Sequence, residues 1–278
     1  MSKKIAVIFD FDDTLAHDST TDFLKSVGID TQDFWKKRVD PLVEDGWDPI
    51  PAYLYMMIEE SKHRKPEERI TREKLESFGN EVRLFDGVSR LFSTIHKHVE
   101  GKSEDIKVEF FLISSGIGDV VRNTKISHHF TDIWSSDFQY NDDNEIYFPK
   151  RIVSFTDKTR YIFSISKGLI GPEFKNKPFD VNDKTQSGKF YIPFENMIFV
   201  GDGLTDVPCF SLIKKYNGIT FAVYDPNRQD KWSRAWKFIQ DQRVNSLLPA
   251  DYSKNSALMT NLLMAVDGLI QKIESKGK

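Results

Sequence analysis

The chain has 278 residues, 39% of them hydrophobic and 29% charged, with 42 acidic side chains against 39 basic ones and a net charge of −3. That length suits one large domain, or a core with a smaller insertion, and the charge balance lacks the basic excess of a nucleic-acid binder. No run approaches the roughly 20 apolar residues of a membrane span, and a single cysteine, Cys209, excludes an intrachain disulfide.

The first apolar run, residues 5–9 (IAVIF), predicts a strand. It is too short for a secretory leader and lacks a cleavage site, so a cytoplasmic location is expected, in keeping with the lone cysteine. It leads directly into Asp10, Asp12 and Asp13 of FDFDDTL. Residues 16–83 contain no convincing strand. Amphipathic stretches at 19–27, 32–43, 52–64 and 72–82 predict helices, separated by Gly28, Pro41, Gly46, Pro49 and Pro66. The run 59–74, dense in both charge signs, reads as a solvated helix face and its flanking loop.

A helix is expected at 88–99 and a second strand at 108–113 (VEFFLI), followed by Ser114, Ser115 and two glycines in a loop before a helix near Asp119. Residues 132–155 read as two extended segments around a turn of Asn and Asp at 141–144. Then come a helix at 158–169, a strand ending at 198–200, the turn GDGLTD, a helix at 206–215 and a strand at 219–223 (ITFAV). Beyond residue 230 the chain reads as helical. Its last amphipathic stretch, 257–273, places Leu258, Leu262, Met264, Leu269 and Ile273 against the core or a second subunit.

Continuously apolar strands suit a sheet covered on both faces. Alternating with helices, they predict a doubly wound, Rossmann-like α/β core with parallel strands. The core is expected to comprise residues 1–15 and 84–278, with 16–83 as an inserted helical cap.

In such a sheet ligands bind beyond the carboxyl ends of the strands. Asp10 and Asp12 stand at one such end, and Asp202 and Asp206 at another, where Gly201 and Gly203 are expected to permit a sharp turn and leave room close to the backbone. Close carboxylates repel unless a cation intervenes, and a hard ion such as Mg²⁺ prefers oxygen ligands. Ser114, Ser115 and Gly116 offer hydroxyls and backbone N–H groups for a phosphate, and Lys158 adds positive charge. An EF-hand reading fails, because the sixth and twelfth positions from Asp10 are Leu15 and Thr21 rather than Gly and Glu. The combination points to phosphoryl transfer with Asp10 attacking phosphorus.

The order DxDxT, apolar-apolar-Ser, Lys, GDGxTD, spanning roughly residues 5–210, resembles the haloacid dehalogenase superfamily of phosphohydrolases. The helical insertion, with FDGV at 85–88 marking the return to the core, resembles the cap of its phosphoserine-phosphatase-like branch. The resemblance implies a Mg²⁺-dependent phosphatase in which Asp10 is the nucleophile and Asp12 the general acid and base. It also implies Ser114 on a phosphoryl oxygen, Lys158 steadying the charge, and Thr14 ordering the turn. Mg²⁺ would be held by Asp10, Asp202, Asp206 and the backbone carbonyl of Asp12. Lys150 is the weaker candidate for the lysine. Dehalogenase members lack the second aspartate, so Asp12 favours phosphate chemistry.

The expected partner is a small phosphorylated molecule, with no nucleic acid and no membrane; substrate identity and oligomeric state stay open. Competing readings are a phosphomutase or phosphotransferase with the same intermediate, a silent phosphometabolite binder, and a receiver-like signalling protein, whose acidic residues and lysine would come in a different order. His17, Asp18 and Ser19 read as ordinary polar residues at a domain junction. Trp35, Trp47, Tyr53 and Tyr55 read as core of the helical segment, and Cys209 as a small buried hydrophobe.

Overall fold

A computed structural model describes residues 3–186, 189–228 and 232–276, with the side chains of 232–235 left aside. In chain order it contains β1 (Lys4–Phe9), α1 (Ser19–Ser26), α2 (Thr31–Asp33), a π-helical turn (Phe34–Val39), α3 (Asp40–Glu44), α4 (Pro49–Lys62) and α5 (Arg72–Gly79). There follow α6 (Val88–Glu100), β2 (Lys107–Ile117), α7 (Gly118–Arg122), β3 (Asp132–Tyr140), β4 (Ile146–Arg151) and α8 (Phe155–Lys167). The last part holds β5 (Met197–Gly201), α9 (Val207–Lys215), β6 (Ile219–Tyr224), α10 (Trp232–Gln240), β7 (Ser246–Pro249) and α11 (Ala257–Lys276).

The seven strands form one sheet in the order β4-β3-β2-β1-β5-β6-β7. All neighbours are parallel except β3 and β4. Alternate residues of β1 face opposite layers. Ile5, Val7 and Phe9 join the core shared with α6 and α11. Ala6 and Ile8 join the core shared with α8 and α9. This two-sided burial is why the strand reads as unbroken apolar sequence. The chain runs outward from β1 to β2 and β3, then returns to β5 on its other side. That reversal opens a crevice at the carboxyl ends of β1 and β5, where ligands bind in doubly wound sheets.

Residues 16–83 contribute no strand to the sheet. Their apolar side chains, among them Phe23, Phe34, Leu54 and Met57, form a third core that continues onto Ile117, Val120, Phe138 and Ile146. The tip of the β3–β4 hairpin is tied to this segment: Ile146 N–H donates to the Ile70 carbonyl at 3.0 Å, and Arg69 bonds Glu145 at 3.1 Å. The turn itself is held by Asn141, whose Oδ1 accepts from the N–H groups of Asp143 and Glu145.

Several expectations need correction. The helix foreseen at 32–43 is broken into α2, a π-helical turn and α3, with Pro41 in the first turn of α3, where a missing N–H costs nothing. Trp47 and Tyr55 are each 39% exposed and pack on one another outside the core. Met264 lies on the solvent face of α11. The tail beyond 230 is not all helix, because the short strand β7 pairs with β6. Finally, β2 runs four residues past Ile113, so Ser114, Ser115 and Gly116 belong to the strand rather than to a loop.

Candidate active site

The turn after β1 is built by its backbone. Asp10 N–H donates to the Val200 carbonyl of β5 at 2.9 Å, and the N–H groups of Thr14, Leu15 and Ala16 converge on the Phe11 carbonyl. Asp13 takes the left-handed conformation at φ 54°, one that aspartate tolerates better than most residues. The Thr14 hydroxyl, expected to order this turn, is buried without a hydrogen-bond partner. Instead the Thr14 carbonyl accepts from the Tyr252 hydroxyl at 3.0 Å, a contact across 238 positions of sequence.

Lys158 enters from α8, whose first turn is fixed by a reciprocal cap between Ser154 and Asp157. Its ammonium is wholly buried, 2.9 Å from Asp10 Oδ1 and 2.8 Å from Asp206 Oδ1, with the Thr205 hydroxyl at 3.3 Å. Lys150 lies on the exposed side of β4. Asp202 completes the acidic group, and Asp10, Asp202 and Asp206 offer carboxylate oxygens within 4.8 Å of one another.

Of the two purposes expected of the glycines of GDGLTD, room close to the backbone is the one seen at Gly201. Gly201 and Gly203 are absent from the left-handed residues. A Cβ on Gly201 would sit 2.4 Å from Asp206 Oδ2, so its role is to let that carboxylate approach. The Gly203 N–H then donates to the same oxygen at 3.2 Å.

Asp12 stands apart from the three clustered carboxylates. Its Oδ1 accepts from the Ser19 N–H at 2.8 Å and the Ser19 hydroxyl at 2.5 Å. Its Oδ2 points at Gly116, where a Cβ would come within 2.5 Å of it and 3.1 Å of Ser114 Oγ. Ser114 is buried, and its oxygen accepts from the Gly116 N–H at 2.9 Å, leaving its own proton to donate. Pairing of β2 with β3 lapses between Ile113 and Ile117, so the strand is irregular where a loop was expected. The Ser115 hydroxyl is buried without a partner. Its carbonyl accepts from the Tyr53 hydroxyl at 2.7 Å and the Ser136 hydroxyl at 3.0 Å.

Burial sets the charges here. It pushes the Asp10 carboxyl up, Asp206 adds to the rise, and Lys158 opposes it. Burial and the neighbouring Asp18 raise Asp12 to about 7, with Ser19 pulling the other way. Lys158 is held protonated by Asp10 and Asp206 despite its own burial. Three carboxylates thus converge, two of them on the Lys158 ammonium. Such a set of hard oxygen donors fits a divalent cation.

Sequence reasoning passed over Ser19, Tyr53 and Tyr252. Ser19 follows the helix-capping Asp18, and that signal was available. Nothing local marks Tyr53 or Tyr252, since each reaches the site from a distant element. A cleft of about 1210 Å³ lies at the opposite ends of the strands beside Phe194, Asn196 and Asn217, and none of these carboxylates lines it.

No family model matches the chain. An uncharacterized protein of Borreliella burgdorferi is 28% identical over 285 residues, spanning 91% of this chain and 93% of that protein. A HAD family hydrolase of Salmonella enterica serovar Typhi superposes with a TM-score of 0.57 at 14% identity, covering 89% of this chain and 67% of the other. The fold is that of the haloacid dehalogenase-like hydrolases. A phosphoserine phosphatase captured as a phospho-aspartyl intermediate analogue matches it at a TM-score of 0.55 and 14% identity, over 95% of this chain and all of the other. In this haloacid dehalogenase-like fold the four sequence motifs meet at one crevice, with Asp10, Ser114, Lys158 and Asp202 each carried at or beside the carboxyl end of a strand or the start of a helix.

Proposed function

We propose that this chain is a Mg²⁺-dependent phosphatase that hydrolyses a small-molecule phosphomonoester through an aspartyl-phosphate at Asp10. The observation that carries the reading is the buried Lys158, shared between Asp10 and Asp206 while Asp202 completes a three-carboxylate group. Asp10, Asp202 and Asp206 would hold the ion, with the Asp12 backbone carbonyl as a further ligand. When bound, it neutralises phosphate charge and keeps Asp10 ionised.

An Asp10 carboxylate oxygen attacks phosphorus, and the bond from phosphorus to the ester oxygen breaks. The Asp12 carboxyl gives its proton to the departing alcohol. Water then attacks the aspartyl-phosphate, Asp12 takes the proton from that water, and inorganic phosphate leaves with Asp10 restored. Donation from one side chain fits a group raised to about 7, close to working pH. Ser114 and Ser115, with the Gly116 backbone, are assigned to the phosphoryl oxygens, and Lys158 to the charge that builds between nucleophile and phosphate.

Residues 16–83 act as the cap over this site. The Tyr53 hydroxyl and Ser19, both from that segment, already touch the site. No helix among the described residues is long and apolar enough to cross a membrane, and with its one buried cysteine the chain is assigned to the cytoplasm. The test is turnover of an aryl phosphate with Mg²⁺ and with chelator, by wild type and Asp10→Asn. Mg²⁺-dependent release of phosphate that vanishes in the variant is expected. Equal rates in the two proteins would end the proposal. Transfer to an added alcohol, read in the same assay, would identify a phosphotransferase.

A further inference from the structure

We infer that the alcohol leaving from Asp12 carries a positive charge, an amine or quaternary ammonium, and no carboxylate. This inference rests on the phosphatase reading, since it concerns what covers the leaving-group side of the same site.

Most lysines and arginines of the helical segment are already engaged, and its His17 faces Asp225 at 3.5 Å. Of its arginines, Arg38 is bonded to Asp33 and Glu60, Arg64 to the Val27 carbonyl, and Arg69 to Glu145. Arg72 lies over the Tyr140 ring, and Arg83 is bonded to Asp22. Lys36, Lys37 and Lys62 pair with carboxylates, and Lys74 donates to two carbonyls. Only Lys25 and Lys65 have no such partner among the described residues, and both face solvent. On the β2 side, Arg122 is taken up by Asp137 and Ser135. Lys158 is saturated by Asp10 and Asp206. A carboxylate on the leaving alcohol would therefore lie unpaired beside Asp12, at a cost in binding.

A cation meets the opposite surroundings. Asp18 lies near enough to Asp12 to act on it electrostatically, and its carboxylate is fixed by the Thr21 N–H at 2.9 Å and the Thr21 hydroxyl at 2.7 Å. The Trp35 indole N–H donates to that same hydroxyl at 2.9 Å, which seats the ring next to Asp18. The Tyr53 ring, 5.9 Å from that of Trp35 between centroids, also feels the charges of Asp12 and Asp18. A carboxylate joined to an indole through one shared hydroxyl, with a second aromatic ring beyond that indole, favours an ammonium group through ion pairing and cation–π attraction together.

The experiment uses two-carbon phosphate esters that differ only in the far group: phosphoethanolamine, ethyl phosphate and phosphoglycolate, with phosphoserine as the amine that adds a carboxylate. With wild type and Mg²⁺ at pH 7, kcat/KM is expected to fall in the order ammonium, neutral, carboxylate, with about tenfold or more between the extremes, and phosphoserine is expected below phosphoethanolamine. Asp18→Asn keeps a helix-capping side chain and is expected to reduce the preference for phosphoethanolamine over ethyl phosphate several-fold. Equal rates for the three esters, a preference for phosphoglycolate or phosphoserine, or an unchanged ratio in the variant would overturn the inference. Turnover of aryl phosphate with none of the four esters would also overturn it and leave the phosphatase reading standing. Absence of aryl phosphate turnover would instead strike that reading itself.

Discussion

Lys158 Nζ donates to Asp206 Oδ1 across 2.8 Å, with neither side chain exposed to solvent. Breaking such a pair from one side leaves an uncompensated buried charge, which typically costs about 3–5 kcal/mol. Lys158→Met would strand Asp10 and Asp206 together. Urea denaturation in chelator is expected to show a loss of that size, and a loss below about 1 kcal/mol would contradict the geometry. Lys158→Arg should not restore activity, because a planar fork cannot replace a compact ammonium in a closed space.

Removing the acid should matter in proportion to how much the leaving group needs a proton. Asp12→Asn is expected to slow an alkyl phosphate by about 10²–10⁴, and a nitrophenyl phosphate, whose leaving group is weakly basic, far less. Values of kcat/KM on the two esters check this, because they report the step in which the alcohol leaves and not the later attack of water. A uniform loss on both would remove Asp12 from the role of proton donor.

Stability of the metal-free protein should fall as pH rises from about 4 to about 7. Asp12 has a folded-state value of about 7, raised by burial and by Asp18 from an ordinary 3.8, and Asp10 is raised as well. Over this window the folded chain holds protons that the unfolded chain has released, so raising pH favours unfolding. Melting temperatures in chelator at pH 5, 6 and 7 are expected to decline, and Asp12→Asn to flatten the decline. A melting point that climbs over this range would refute it.

Added Mg²⁺ should stabilise the folded chain, by about 2.7 kcal/mol at a hundredfold excess over the dissociation constant. For a chain of this size that is a rise of several degrees in melting temperature. Asp202→Asn is expected to abolish most of the rise. A full rise in the variant would place the ion elsewhere.

Gly116→Ala tests the packing around Asp12. The added methyl would lie 2.5 Å from Asp12 Oδ2, so the carboxyl must move off the reacting oxygen. A loss of tenfold or more in kcat is expected, since small misplacements at a reacting centre are costly. Circular dichroism should stay native, and unchanged kcat would show that Asp12 need not sit where it does.

How much of this was legible depended on whether the signal was local. The parallel strands announced themselves because both faces of Ile5, Val7, Phe111 and Phe199 are buried, which leaves no polar alternation to confuse with a helix. Three of the four motif positions were legible for the same reason, each following an apolar run, whereas Lys158 was read from its place at the start of a helix. What escaped was set by tertiary contact. β7 has only four residues and is a strand because β6 lies beside it. Gly201 was legible as leaving room close to the backbone, but not that the Asp206 carboxylate fills it. Ser19 looked like a polar residue at a domain junction until Asp12 was seen to fold back on it. Tyr53 looked like one aromatic among four, and only the fold separates its buried hydroxyl from the exposed Trp47 and Tyr55.

The central place of β1 bears on how the chain is made. Both of its sheet neighbours are encoded downstream: β2 begins at Lys107 and β5 at Met197. At a synthesis rate of about 5–20 residues per second, some 10–40 s pass between the emergence of KIAVIF and that of its second neighbour. During that interval an apolar strand has an open edge on the nascent polypeptide, exposed to wrong pairing. The edge stays open until β5 emerges, and the candidate site cannot assemble until translation has passed Asp206.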